Sequence, residues 1–124
     1  MSVACCPLES SDGEGPSCFA RAFPVAAKLH KCGECRETIA KGSKYERASG
    51  LWDGSWSTMR TCMSCVEIRD HFACNGFVYG QLWRDLGASF FPDMKAGGPC
   101  MEGLSPAAKA RLFARRMTWL EARR

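Results

Sequence analysis

The chain is a mosaic of two hydrophobic periods, with an irregular stretch at each end of the first. Residues 1–24 are rich in Ser, Gly, Pro and Glu and hold no period, so they are expected to form a mobile tail. Tyr45 to Leu51 reads as a strand and Ser55 to Thr61 as its return. Between them Asp53-Gly54, flanked by Trp52 and Trp56, suits the positive φ values of a two-residue type I′ turn. Lys41-Gly42-Ser43 marks an earlier turn. The period then changes. From Ser64, Val66, Ile68, Phe72 and Ala73 recur at helical spacing, with Asn75-Gly76 as a stop. Tyr79, Leu82, Trp83, Leu86 and Phe90 mark a second amphipathic helix that ends at Phe91-Pro92. Ser105-Pro106 supplies an N-cap and a first-turn proline for a third, with Ala110, Phe113, Ala114, Met117 and Leu120 as its apolar stripe.

These elements predict a small α+β protein in four parts: a disordered tail (1–24), a finger domain with its following helix (25–91), a linker (92–104) and a basic amphipathic helix (105–124). At 124 residues there is room for one domain with tails, and a cross-link would add much to a core of this size. The formal charge of +4 is spread unevenly: −2 over residues 1–25, +3 over 26–60, −1 over 61–100 and +4 over 101–124. That is mildly basic, well short of a polycation.

Nine cysteines are an odd set, and no secretory leader or bilayer-length apolar run accompanies them. The expected setting is a reducing cytoplasm, where paired cysteines bind metal more often than each other. Cys32-Gly33-Glu34-Cys35 and Cys62-Met63-Ser64-Cys65 each have two residues between their sulfurs, and 26 residues (36–61) separate the pairs. That is ligand spacing for a tetrahedral all-thiolate site, and one structural Zn2+ is the expected cofactor. The first pair falls on a turn and the second at a helix start, where free amides and the helix dipole favour thiolate. Turn, hairpin, then helix is the order of a treble-clef zinc finger. Iron in a rubredoxin-like site is the main rival. Such knuckles usually have glycine after each pair, and here Arg36 and Val66 stand there. His30, His71 and Cys74 are weaker alternative ligands, and Cys5, Cys6, Cys18, Cys74 and Cys100 have no assigned role. Four protein ligands leave no position for an activated water, so no catalytic residue and no small-molecule substrate is expected.

Residues 26–56 resemble the first half of the zinc fingers of poly(ADP-ribose)-polymerase type, in Cys-x-x-Cys, a Thr-Ile-x-x-Gly turn and an Asp-Gly before an aromatic residue. That family closes its site with His-x-x-Cys, whereas this chain offers Cys62 and Cys65. Residues 28–86 more closely resemble small phage- and prophage-encoded proteins of unknown function. The matching positions are Cys32, Cys35, Ile39, Gly42, Tyr45, Glu46, Trp52, Asp53, Gly54, Trp56, Cys62 and Cys65. This resemblance implies action in an infected bacterial cytoplasm and supplies no reaction.

Two expectations for function follow. Lys41, Lys44, Arg47 and Arg60 beside Tyr45, Trp52 and Trp56 would combine phosphate contacts with base stacking, which points to nucleic acid. In the last helix Leu112 and Trp119 lie off the stripe and Arg111 and Arg115 project from the opposite side. That points to a host-protein partner, or to a second copy of the chain. A nuclease of HNH type is a remote third reading, because His30 and His71 lack the placement a histidine base needs. No membrane association is expected.

Overall fold

The computed structural model describes Leu8 and residues 19–52, 54–73, 77–94 and 99–123. Its centre is the hairpin of β4 (Tyr45–Trp52) and β5 (Ser55–Cys62), with β1 (Phe19–Ala22) added on the β4 side to give an antiparallel sheet of order β1-β4-β5. Trp52 pairs with Ser55, so two residues close the hairpin, and Gly54 takes φ 79° as the turn requires. Asp53 lies outside the described residues. A second small sheet pairs β2 (His30–Lys31) with β3 (Thr38–Ile39) around the first cysteine turn. Gly42 occupies the expected turn with φ 89°.

Among the described residues three helices cover this framework: α1 (Met63–Phe72), α2 (Leu82–Ser89) and α3 (Pro106–Glu121), with single 3-10 turns at Phe91–Asp93 and Pro99–Met101. α1 follows β5 without a break, so the second cysteine pair sits where strand becomes helix. The Asn75-Gly76 stop is outside the described residues; the helix ends at Phe72. α3 starts as expected, with Ser105 Oγ accepting a hydrogen bond from Ala108 N at 3.2 Å. Glu67 of α1 accepts from both Ser105 N (2.6 Å) and Ser105 Oγ (2.8 Å), which ties the start of α3 to α1.

One apolar core joins these parts: Ile68 and Phe72 of α1, Leu82 and Leu86 of α2, Ala108 and Leu112 of α3, and Leu8, Phe91, Met94, Met101 and Leu104. Three sequence expectations shift here. Phe19–Ala22, assigned to the tail, is a strand, and Leu8 is buried, so ordered structure starts before Pro24-Val25. The expected linker contributes Met94, Met101 and Leu104 to the core, which is why it does not behave as a spacer. The side of α3 that docks is Ala108 and Leu112, whereas Ala110, Ala114 and Met117 of the expected stripe are exposed.

Two polar networks replace water inside the protein. Arg69 of α1 donates to both carboxylate oxygens of Glu46 on β4 (2.8 and 2.7 Å), and Arg21 of β1 donates to the same carboxylate at 2.6 Å. Arg69 and Glu46 are almost wholly buried, and the Arg69 guanidinium also lies over Phe77 (4.3 Å) and Tyr79 (5.5 Å). Burial alone would raise the Glu46 pKa, but the bonds and charges of Arg69 and Arg21 hold it below the ordinary carboxylate value. The second network starts at Glu34, which accepts from Gly80 N (2.9 Å) and Leu82 N (3.0 Å) and so caps the start of α2. Burial pushes the Glu34 carboxyl up, partly offset by those two bonds.

Candidate metal centre

The first cysteine turn is shaped by backbone bonds that leave its sulfurs facing inward. Cys32 N donates to Glu37 O at 2.9 Å, and Arg36 N to Cys32 O at 3.0 Å. Gly33 N donates to Arg60 O at 2.7 Å, which fixes the turn against β5. Arg36 sits at φ 66°, the left-handed conformation that glycine adopts without steric cost. Arginine can therefore stand after the pair, under strain, while the turn keeps its knuckle shape.

The sulfurs of Cys32, Cys35, Cys62 and Cys65 all lie within 4.8 Å of one another, and the cysteines are free thiols. Cys32, Cys35 and Cys65 are buried and Cys62 half-buried. The Sγ atoms of Cys35 and Cys62 are 3.9 Å apart, far beyond a disulfide bond of about 2.05 Å. It is close to the roughly 3.8 Å sulfur–sulfur edge of a tetrahedron with metal–sulfur distances of about 2.3 Å. The donor set thus fits a tetrahedral thiolate-binding metal ion. No histidine joins the cluster. The His30 ring packs 5.2 Å from Tyr45, and His71 Nε2 donates to the carbonyl oxygen of Cys100 at 2.6 Å. Cys74 lies outside the described residues, and Cys100 is disulfide-bonded.

The surroundings of the cluster favour negative charge on sulfur. Cys32 Sγ accepts from the amides of Glu34 and Cys62, each at 3.4 Å. Arg111 of α3 donates from its guanidinium to Cys35 Sγ at 3.0 Å and lies 3.4 Å from Glu37. Hydrogen bonds from the neighbouring thiols, led by Cys35, hold Cys32 below the usual thiol range. Cys35 is held down to about 6: its bond with Cys32 raises it, and those with Cys62 and Cys65 outweigh that. Cys62 and Cys65 are pushed up, first by the bond with Cys32, because four crowded sulfurs cannot all ionise without a cation among them.

The other expected contact residues separate into two groups. Lys41, Lys44 and Arg47 are exposed, and Trp56 is 62% exposed. Arg60 is half-buried with its Nε enclosed and unpartnered. Trp52 is half-buried, with the Phe19 and Tyr79 rings each 6.1 Å from its own in an aromatic group at the edge of the sheet. Arg111 belongs to the cysteine cluster and does not project from the opposite side of its helix. Arg115 lies over the Trp83 ring (5.1 Å), and Trp119 packs edge-on against Phe91 (5.6 Å). Glu34, Glu46 and Arg69 were not foreseen as site or core residues, and Arg111, expected as a partner contact, stands instead against a cysteine sulfur. Only the placement of Glu34 between two cysteines was a local signal. Compared with known protein families, with curated proteins and with solved structures, the chain matches none.

Proposed function

We propose that the four cysteines hold one structural zinc ion at the heart of a treble-clef-like finger, and that the protein works by binding a macromolecule rather than by catalysis. The convergence of four free thiols within 4.8 Å carries this reading. A tetrahedral ion held by four protein sulfurs has no open position for water or substrate, so its contribution is to the fold. What the chain adds is charge balance: four thiolates around a divalent ion leave two negative charges, and Arg111 stands against one of those sulfurs.

Nucleic acid is the favoured partner. Arg47 of β4 and Arg60 of β5 are directly opposite in the hairpin register, and neither has an ion-pair partner among the described residues. Like charges facing each other across strands are destabilising. A phosphate backbone would relieve that repulsion while Lys41, Lys44 and the exposed Trp56 ring make further contacts. The resemblance to phage-encoded fingers adds a setting, the cytoplasm of an infected bacterium. Retention on immobilised single- and double-stranded DNA and RNA tests the reading: elution that moves with salt supports it, and no retention at low salt contradicts it.

A second reading is a protein partner, a host complex or another copy of the chain, on the free side of α3. Met117 there is 53% exposed beside exposed Ala110 and Ala114. Met117→Glu should abolish such binding without unfolding the protein.

A further inference from the structure

The free energy of stacking and of phosphate contact can be gained in one place on this molecule, away from the hairpin. Between α2 and α3 a groove of about 290 Å³ opens, walled by the rings of Trp83, Phe91 and Trp119. Arg84, Arg115, Thr118 and Ala122 complete its lining, and no carboxylate takes part. The Arg115 guanidinium lies 5.1 Å over Trp83, and that of Arg123 lies 4.3 Å over Trp119. Arg84, Arg115 and Arg123 have no ion-pair partner among the described residues. The buried indole N–H of Trp83 also has no partner.

We propose that this groove binds one nucleotide unit of a single-stranded nucleic acid, with its base against the aromatic and guanidinium faces and its phosphate on Arg84 and Arg115. This rests on the nucleic-acid reading above and gives it a site. A guanidinium stacked on a ring keeps the N–H groups at its edge free, in a planar fork that matches phosphate oxygens. Trp83 and Phe91 are buried, so the flat surfaces left to a base are the half-buried Trp119 ring and the outer planes of the stacked guanidinium groups, which a base can use in any sequence. An acidic peptide would use the positive charge and leave those surfaces idle. The volume lies just below the roughly 300–1,000 Å³ of small-molecule pockets, which suits one unit rather than a stretch of strand. A base paired in a duplex cannot enter, so single strands are preferred.

The test is fluorescence anisotropy of the full, metal-loaded chain with a labelled single-stranded oligothymidylate and with its duplex. Arg84→Gln/Arg115→Gln should weaken single-strand binding about 10-fold or more at unchanged melting temperature. Arg115→Lys, which keeps the charge and loses the planar stack, should weaken it too. Lys44→Gln/Arg47→Gln on the hairpin should weaken single strand and duplex alike. If the double variant melts early, Arg84→Gln alone, on an exposed side chain, carries the test. Wild-type binding that the groove variants leave unchanged would overturn the groove and leave the nucleic-acid reading standing. No binding to either probe at low salt would overturn both. Groove-dependent binding of polyglutamate without oligonucleotide binding would replace the strand with an acidic protein.

Discussion

At the scale of single residues, the account turns on charged side chains that the fold takes inward. Arg111 is the clearest case. A guanidinium against a metal-bound sulfur offsets charge and fixes the ligand, and such partners typically contribute 10–100-fold in metal affinity. Arg111→Ala should therefore release metal to a chromophoric chelator at about 10–100-fold lower chelator concentration than wild type, while Arg111→Lys should lie between them. Arg69 and Glu46 form the other inward pair. Removing one partner strands a buried charge, so Arg69→Ala should cost about 3–5 kcal/mol in urea unfolding, and Glu46→Gln/Arg69→Met should recover most of it. The pH dependence has a definite sign. Glu46 is held below its ordinary value of 4.5, so its stabilisation is present above that pH and is lost as pH falls through the lower folded value. Glu34 is raised and acts in the opposite direction, with a cost that grows as pH rises through the carboxylate range. Acid titration of unfolding free energy should thus flatten in Glu46→Gln/Arg69→Met and steepen in Glu34→Gln. None of these partners was legible in the sequence. Glu46 meets Arg69 across 23 residues and Glu34 meets Leu82 across 48, and nothing local marks either pairing. The cysteines were legible because metal spacing is written within four residues.

Among the elements, those whose signals are local match the sequence reading closely. The hairpin was readable from Asp53-Gly54 between two strand-like runs, and α3 from Ser105-Pro106, because turn chemistry and caps act over a few residues. The orientation of α3 was not. Its periodicity marks two apolar sides, and only the position of Gly87 and Leu112 decides which one docks. A Cβ at Gly87 of α2 would come 2.9 Å from Trp119 Nε1, so this glycine permits the close approach of α2 and α3. Gly87→Ala should consequently lower the melting temperature, where alanine in an open helix would raise it, and Trp119→Leu should restore the loss in the double variant. β1 was unreadable for a related reason. Four exposed residues, Phe19 to Ala22, carry no period of their own and become a strand only by pairing with β4.

Taken as a whole molecule, the cysteine-bearing part and the last helix are packed on one shared core. α3 buries Ala108 and Leu112 in the shared core, is clamped at its start by Glu67, and reaches the cysteine cluster through Arg111. Deleting residues 105–124 should expose that core and abolish cooperative unfolding, so partner searches need point variants such as Met117→Glu in place of truncation. The same unity would make a bound metal a determinant of the entire fold. In a chain of 124 residues a four-thiolate ion would supply much of the order, and a chelator strong enough to remove it should broaden or abolish the thermal transition. The central claim is tested most directly by native mass spectrometry with elemental analysis on protein purified without added metal. The account predicts one zinc per chain, with Cys32, Cys35, Cys62 and Cys65 unreactive to alkylation until zinc is removed. A folded chain free of metal, or one with a disulfide between any two of these four cysteines, would contradict it.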